Sequence, residues 1–496
     1  MHLQKSNMGI SLSKSKARFT VSGRFFGSAP GTADYLIVAV LWIAAFIFFD
    51  QWFDMTLITL HASDLLDCIF TGKPLKFYSY VFERASEGKY ISSLYDETKV
   101  AASYNIVVYL TMAAWELPIY ALNHVVPIMN YSLFLEFWGR LAGMLMSCLC
   151  CSQITKLAYE LMSDKNKAKW VGYFFISSPL IPYCVIIRNQ LDIVSVLLVI
   201  LALRKYFKKN LTAFSLIMAV AGCFKIVPFL IVIPLLLLAE KKILKLIGFI
   251  SVSFSLYAAS NILFLLADPA FKRTQELLAE DTGFSDYILK TVIPGGVSDT
   301  SVFLLLYFLI CVIAYVAKPS EKEFPVYTVM LGFSALSEFF LFVKWHPQWL
   351  VLLLPFVTLM VFSLFDFELG FLLDIAGMLG FLVTSILIHL TKSVFTLSIF
   401  YALTFGRFAE QQIYSPIYMF FANNGLTTIV PSTLFFSGIV SLLLVAYLNI
   451  RSSASRKCRP FDNAFKESRS LFYARSAVIL VYIVPPVLSY LSQPIR

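Results

Sequence analysis

The stretch DQWFDMTLITLHASDLLD, residues 50–67, carries four aspartates and one histidine directly after the first strongly apolar run of the chain, residues 35–49. At 3.6 residues per helical turn, Asp50, Asp54, His61 and Asp64 share one stripe, while Asp67 and most of the apolar side chains point elsewhere. Grouped carboxylates and an imidazole are the equipment of a general base. Ionisable groups held at a membrane edge are a functional hypothesis by default, against the plainer reading of a solvated juxtamembrane helix.

Cations occur in three separate short motifs: Arg188 with Gln190 and Asp192 in RNQLD, Lys225 in AGCFKIVP, and Lys344, His346 and Gln348 in KWHPQW. A carboxylate set beside several cations suits transfer from a phosphate leaving group. The base takes the acceptor proton while Lys and Arg hold the departing charge. Each motif also has a plain structural reading. Arg188 and Asp192 stand four apart and can pair with each other. Lys225 can snorkel, although its place between Gly222 and Pro228 argues for a bend. Trp345, Pro347 and Trp349 suit an interfacial aromatic belt, and Glu338 and Asp374 suit packing within a bundle.

The elements that must position these groups are apolar helices. With 496 residues, 59% hydrophobic, 14% charged and a mean hydropathy of +0.77, the composition is that of a polytopic membrane protein. Residues 1–33 are Ser-rich and basic, without a convincing cleavage site, and are expected to stay in the cytoplasm. The net charge of +10 is spread over short clusters between apolar runs, which fits the positive-inside rule rather than nucleic-acid binding. The eight cysteines have no CxxC or zinc-ligand spacing and read as small buried hydrophobes.

Alternating the basic clusters across the bilayer gives about thirteen crossings, an all-α polytopic bundle with a large first extracytoplasmic loop, residues 50–133. Residues 103–121 are apolar enough to cross, but crossing would turn Lys165, Lys167 and Lys169 outward, so an interfacial or re-entrant helix is expected there. Residues 211–239 form a tight pair of crossings with Lys225 at its tip. Residues 392–428 stay open between a re-entrant layer and a further hairpin. A basic cytoplasmic loop, residues 451–475, precedes the last crossing. No fixed-period or inverted repeat is visible, which weighs against an inverted-repeat transporter.

Several pieces in order resemble the GT-C superfamily of membrane glycosyltransferases, which use polyprenyl-phosphate sugars. They are an acid after the first crossing, YNIVVYLTMAAWELP before FLEFWGRL (with Arg140), RNQLDIVSVLLVILAL, AGCFKIVPFLIVIP and KWHPQWLVLLLPF. The resemblance covers most of residues 35–365. It implies a transmembrane catalytic module, residues 34–365, followed by additional helices, residues 366–496. It further implies Asp54 as base, with Asp50, His61 and Asp64 supporting. Arg188, Gln190, Asp192, Lys225, Lys344, His346, Gln348 and Arg140 would then lie near the donor phosphate. The first-loop acids lack the family's tight pair, and NQ replaces GQ, which leaves the identity of the base and the use of a divalent cation open. The expected activity is inverting transfer of a sugar to a cell-envelope glycan or lipid-linked acceptor, at the outer face of a bacterial plasma membrane. The rival readings are a flippase or transporter of lipid-linked sugars and a non-catalytic membrane subunit.

Overall fold

The computed structural model describes residues 28–49, 53–86, 102–128, 131–282, 291–294, 298–364, 367–389, 423–424, 428–453 and 469–491. Asp50, most of the basic tail, most of residues 392–428 and much of the basic loop at 451–475 lie outside them.

The described chain is almost wholly helical. In order the helices are α1 (Thr32–Phe48), α2 (Phe53–Phe70), α3 (Phe77–Ser86), α4 (Ile106–Val125), α5 (Tyr131–Met162), α6 (Lys165–Ile176), α7 (Asp192–Phe207), α8 (Leu211–Phe224) and α9 (Phe229–Ala239). There follow α10 (Ile243–Ala267), α11 (Pro269–Thr282), α12 (Val302–Val316), α13 (Phe324–Phe342), α14 (Leu354–Ser363), α15 (Phe367–His389), α16 (Ile429–Ser453), α17 (Arg469–Ala477) and α18 (Leu480–Leu491). Among the described residues the only sheet is a two-stranded antiparallel ribbon, Val292–Ile293 against Thr300–Ser301.

Six described helices are long and apolar enough to cross a bilayer, or seven if the pair Lys165–Ile176 and Ile181–Ile187, bent by 50°, counts as one span. The bend has a cause in sequence: Pro179 and Pro182 interrupt the amide ladder, and Pro182 lies in the first turn of a π-helix, Ile181–Ile187, that closes with the Arg188 N–H donating to Tyr183 O. Outward-facing apolar side chains on α10 and α12, such as Leu256, Ile262, Phe308 and Ile313, are exposed. An apolar surface of that kind belongs against lipid.

The basic clusters gather at one end of the bundle. Glu160 at the end of α5 takes Arg204 and Lys208 from the end of α7 at 2.7 and 3.0 Å. Lys209 lies over the ring of Phe324, and Lys241 Nζ donates to the carbonyls of Ala314 and Tyr315 at the end of α12. Ser163 and Lys209 adopt positive φ, 55° and 58°, where α5 and α7 stop and the chain turns back at this end.

Two clusters of buried side chains result. The larger runs through α1, α5 to α10 and α12 to α18, so residues after 366 share the main core through Phe371, Phe381, Phe435, Phe472 and Tyr482. The smaller, at the end away from the basic clusters, joins α2, α3 and α4 to the ends of α10 and α11 through Tyr78, Tyr109, Phe264 and Phe271. The stretch expected to lie at the interface is thus a continuous helix, α4, which is long and apolar enough to cross. It packs on α2 and is tied to α5 by a reciprocal pair: each of Trp115 and Trp138 donates its indole N–H to the other's carbonyl, with the rings stacked at 4.8 Å.

The break between α8 and α9 spans residues 225–228, so two helices too short to cross alone form a hairpin beside α10. Gly222 makes the hairpin possible. A Cβ built there would stand 1.9 Å from Phe229 Cζ, whose ring stacks on Phe254 at 4.1 Å. Gly222→Ala is expected to destabilise the protein by about 1–3 kcal/mol through overpacking. Thermal unfolding in detergent checks this; the second change Phe229→Leu should recover part of the loss.

Candidate functional site

Lys225 is the capping residue that ends α8, in extended backbone (φ −154°, ψ 137°). Its Nζ lies 3.6 Å from Asp192 Oδ1, 4.2 Å from the centre of the Trp349 ring and 5.9 Å from that of Tyr104. Asp192 is the first residue of α7, where a carboxylate also meets the positive end of the helix. The turn that delivers it places Asn189 at φ 44°, a left-handed conformation that Asn tolerates better than most residues.

Lys225 is the charged residue on the wall of a cavity of about 490 Å³. Its walls are mainly apolar: Phe229 and Leu230 of α9, Phe254 and Tyr257 of α10, and Tyr307 of α12. α10 and α12 flank α9 and carry the lipid-facing residues noted above, so the cavity lies between two bilayer-facing helices. A largely apolar chamber of this size with one ammonium on its wall fits an amphiphile with an anionic head.

The other cations are placed differently. Lys344 and His346 are exposed and line a second cavity, of about 430 Å³, with Phe381, Thr384, Ser385 and Ser432. Trp349 lies between the two, 5.2 Å from the His346 ring and in contact with Lys225. Gln348 is buried in the 3₁₀ turn Pro347–Leu353. Arg188, also buried, donates from Nε to Tyr183 Oη at 3.3 Å. Gln190 is buried as well, its backbone N–H donating to Cys184 O. Arg140 donates to Phe49 O and Ile186 O, at 3.2 and 3.1 Å, and lies over the Phe46 ring. It is a strap across the ends of two helical segments, where a cation meets unsatisfied carbonyls.

Of the acids of the opening stretch, Asp54, Asp64 and Asp67 lie on α2. Asp54 is in its first turn, and its side chain is outside the described residues. His61 and Asp64 share a face, with Nδ1 3.7 Å from Oδ2. Asp64 is bound by Arg84 of α3 at 2.6 Å, and Arg84 also reaches Asp67 at 3.2 Å. Asp67 in turn accepts from Tyr120 Oη at 2.6 Å. Asp64 therefore sits inside an ion-pair network with Arg84 and Asp67. The network approaches Lys225 through aromatic contacts: His61 packs on Tyr109 at 5.8 Å, and Tyr109 Oη accepts from the N–H of Tyr104, whose ring faces Lys225.

Arg84 is the main participant that sequence reading passed over. It lies in a polar, Tyr-rich stretch whose helical signal is two interleaved pairs four residues apart, Phe77 with Val81, both buried, and Tyr80 with Arg84. Burial, with Asp64 and Asp67 next to it, pushes the Cys68 thiol up to about 12, so it stays protonated and is no nucleophile near neutral pH. Among the described residues no three His, Cys, Asp or Glu side chains are grouped to hold a metal ion.

The class these features define is a helical membrane protein with a largely apolar cavity whose wall carries Lys225, itself paired with Asp192. No family model, curated protein or solved structure matches the chain.

Proposed function

We propose that the protein is a membrane glycosyltransferase that takes its sugar from a polyprenyl-phosphate donor. The observation that carries this reading is the largely apolar cavity between α10 and α12 with Lys225 on its wall. A prenyl chain would lie along Phe229, Phe254, Tyr257 and Tyr307, and the phosphate would meet the Lys225 ammonium. Asp192 fixes that ammonium from one side and Trp349 covers it from another. Held in this way and partly out of water, the cation stabilises the charge that grows on the phosphate as the bond to the sugar breaks.

The reaction is a single displacement with inversion. The acceptor hydroxyl gives its proton to the Asp54 carboxylate as its oxygen bonds to the anomeric carbon. The bond from that carbon to the phosphate oxygen breaks on the opposite face, and its electron pair leaves with the lipid phosphate. Asp54 keeps the base role because Asp64 is already engaged by Arg84. The acceptor is a cell-envelope glycan or a lipid-linked sugar.

The test is transfer from a defined prenyl-phosphate sugar by the purified protein in vesicles. Asp54→Asn should fold normally and lose tenfold or more of its transfer rate, and an undiminished rate would remove Asp54 as base. Translocation of the lipid-linked sugar without any transfer would replace the enzyme reading by a flippase.

A further inference from the structure

At the basic end of the bundle α5, α6 and α7 enclose a cavity of about 420 Å³, lined by Lys156, Tyr159, Glu160, Lys165, Lys169 and Arg204. It is remote in kind from the Lys225 chamber: charged where that one is apolar, and at the opposite end of α7. Glu160 on its wall and Asp164 beside Lys165 are already engaged. Glu160 takes Arg204 and Lys208, Arg204 also donates to Gln153 at 2.6 Å, and Asp164 caps α6 by accepting from the N–H groups of Asn166 and Lys167 at 2.9 Å each.

Lys156, Lys165 and Lys169 have no carboxylate within ion-pairing distance among the described residues. Lys165 and Lys169 stand four apart on α6 and so share a face, and Lys156 approaches from α5. Three like charges brought to one cavity repel one another, and this arrangement is relieved when an anion enters.

A second feature leads to the same place. Leu141, Leu145 and Leu149 of α5 are 42, 44 and 39% exposed, and at helical spacing they continue directly into Ser152, Lys156 and Tyr159 on one face. From Leu141 to Lys156 this stripe runs about 22 Å, more than one leaflet of a hydrocarbon core about 30 Å thick. An apolar track along a spanning helix that ends in a basic cavity matches the two parts of a phospholipid. Basic pockets between spanning helices are a recurrent means of holding anionic headgroups.

We propose that this cavity binds the phosphate headgroup of an anionic phospholipid, with an acyl chain lying on the Leu141, Leu145 and Leu149 stripe. The headgroup phosphate would take Lys156, Lys165 and Lys169, and Tyr159 would stand at the rim at the level of the glycerol. The inference does not depend on the transferase reading, because no residue of this cavity belongs to the Lys225 site.

The test is native mass spectrometry of the full chain in detergent, titrated with dioleoyl phosphatidylglycerol, with dioleoyl phosphatidylcholine as the zwitterionic control and inorganic phosphate as competitor. The wild type should retain phosphatidylglycerol in preference to phosphatidylcholine. The triple variant Lys156→Gln/Lys165→Gln/Lys169→Gln should bind it about a hundredfold more weakly. Should the triple variant fold poorly, each single substitution should weaken binding about fivefold. A control with the exposed Lys242, Lys245 and Lys318 changed to Gln should bind like wild type. Equal affinity in the triple variant, equal loss in the control, or displacement of the lipid by millimolar inorganic phosphate would each overturn the proposal. The first result would mean no site, the second a diffuse charge effect, and the third a site for soluble anions.

Discussion

Replacing Lys225 by glutamine is expected to lower the transfer rate from a prenyl-phosphate sugar by about a hundred- to a thousandfold, the range seen when one preorganised group facing developing charge is removed. Lys225 is the cation on the cavity wall, and it is fixed between Asp192 at 3.6 Å and Trp349 at 4.2 Å. Glutamine keeps the length and a donor but not the charge, so the loss should fall on kcat more than on KM if the ammonium acts mainly as the phosphate departs. The same substitution leaves Asp192, 4% exposed in its side chain, beside a neutral group. Some loss of stability is therefore expected, and unfolding in detergent must accompany the kinetics. Lys225→Gln/Asp192→Asn separates the two effects. Removing the uncompensated carboxylate should restore stability without restoring transfer. A double variant that recovers transfer would show that the pair serves packing alone.

Part of this site was legible in the sequence. The Gly222 and Pro228 that bracket Lys225 marked a break, and the helix does stop at Phe224 and restart at Phe229, because a glycine is needed under the Phe229 ring and a proline starts the next turn well. RNQLD was read as a turn opening a helix, and Asp192 does begin α7. Its partner was not legible. Sequence spacing offered Arg188 four residues away, but the π-helical segment turns Arg188 back onto Tyr183 and leaves Asp192 facing Lys225. A local pattern cannot report which way a π-helix rotates its end.

The same limit separates Lys344 and His346 from Lys225. All three lie on segments expected at one membrane face, yet the 3₁₀ turn after His346 places Trp349 between them, and they open on different cavities. The His61 and Asp64 part of the acidic stripe was legible as a helix face, but its charge balance was not, because Arg84 comes from twenty residues further along, on α3. For the fold, the positions of the apolar helices followed from hydropathy. The existence of a second core cluster around Tyr78 and Tyr109 did not, since it depends on aromatic rings from four helices meeting in space.

The largest expected effect on stability lies at the opposite end, at Arg475. The guanidinium is fully buried; its Nε donates to Asp374 of α15 at 2.5 Å, its Nη1 donates to Phe174 O at 2.5 Å, and its carbon lies 3.6 Å from the centre of the Phe174 ring. These contacts join α17 to α15 and to α6, so the helices after 366 are attached to the site-bearing ones by a charge pair inside the core. Nearby, Tyr473 donates to Asp34 of α1 and Arg469 to Ser28, which secures α17 to the start of the chain as well. Arg475→Met removes the cation and leaves Asp374 buried without it, a change that costs about 3–5 kcal/mol in such settings. The expected result is a large fall in unfolding temperature in detergent. Asp374→Leu alone should be comparably harmful, because it strands the guanidinium. The pair Arg475→Met/Asp374→Leu is expected to recover most of the loss, since a buried ion pair contributes little beyond an apolar pair of similar volume. If the double variant is as unstable as the sum of the singles, the contact with Phe174, rather than the charge pair, holds α17 in place.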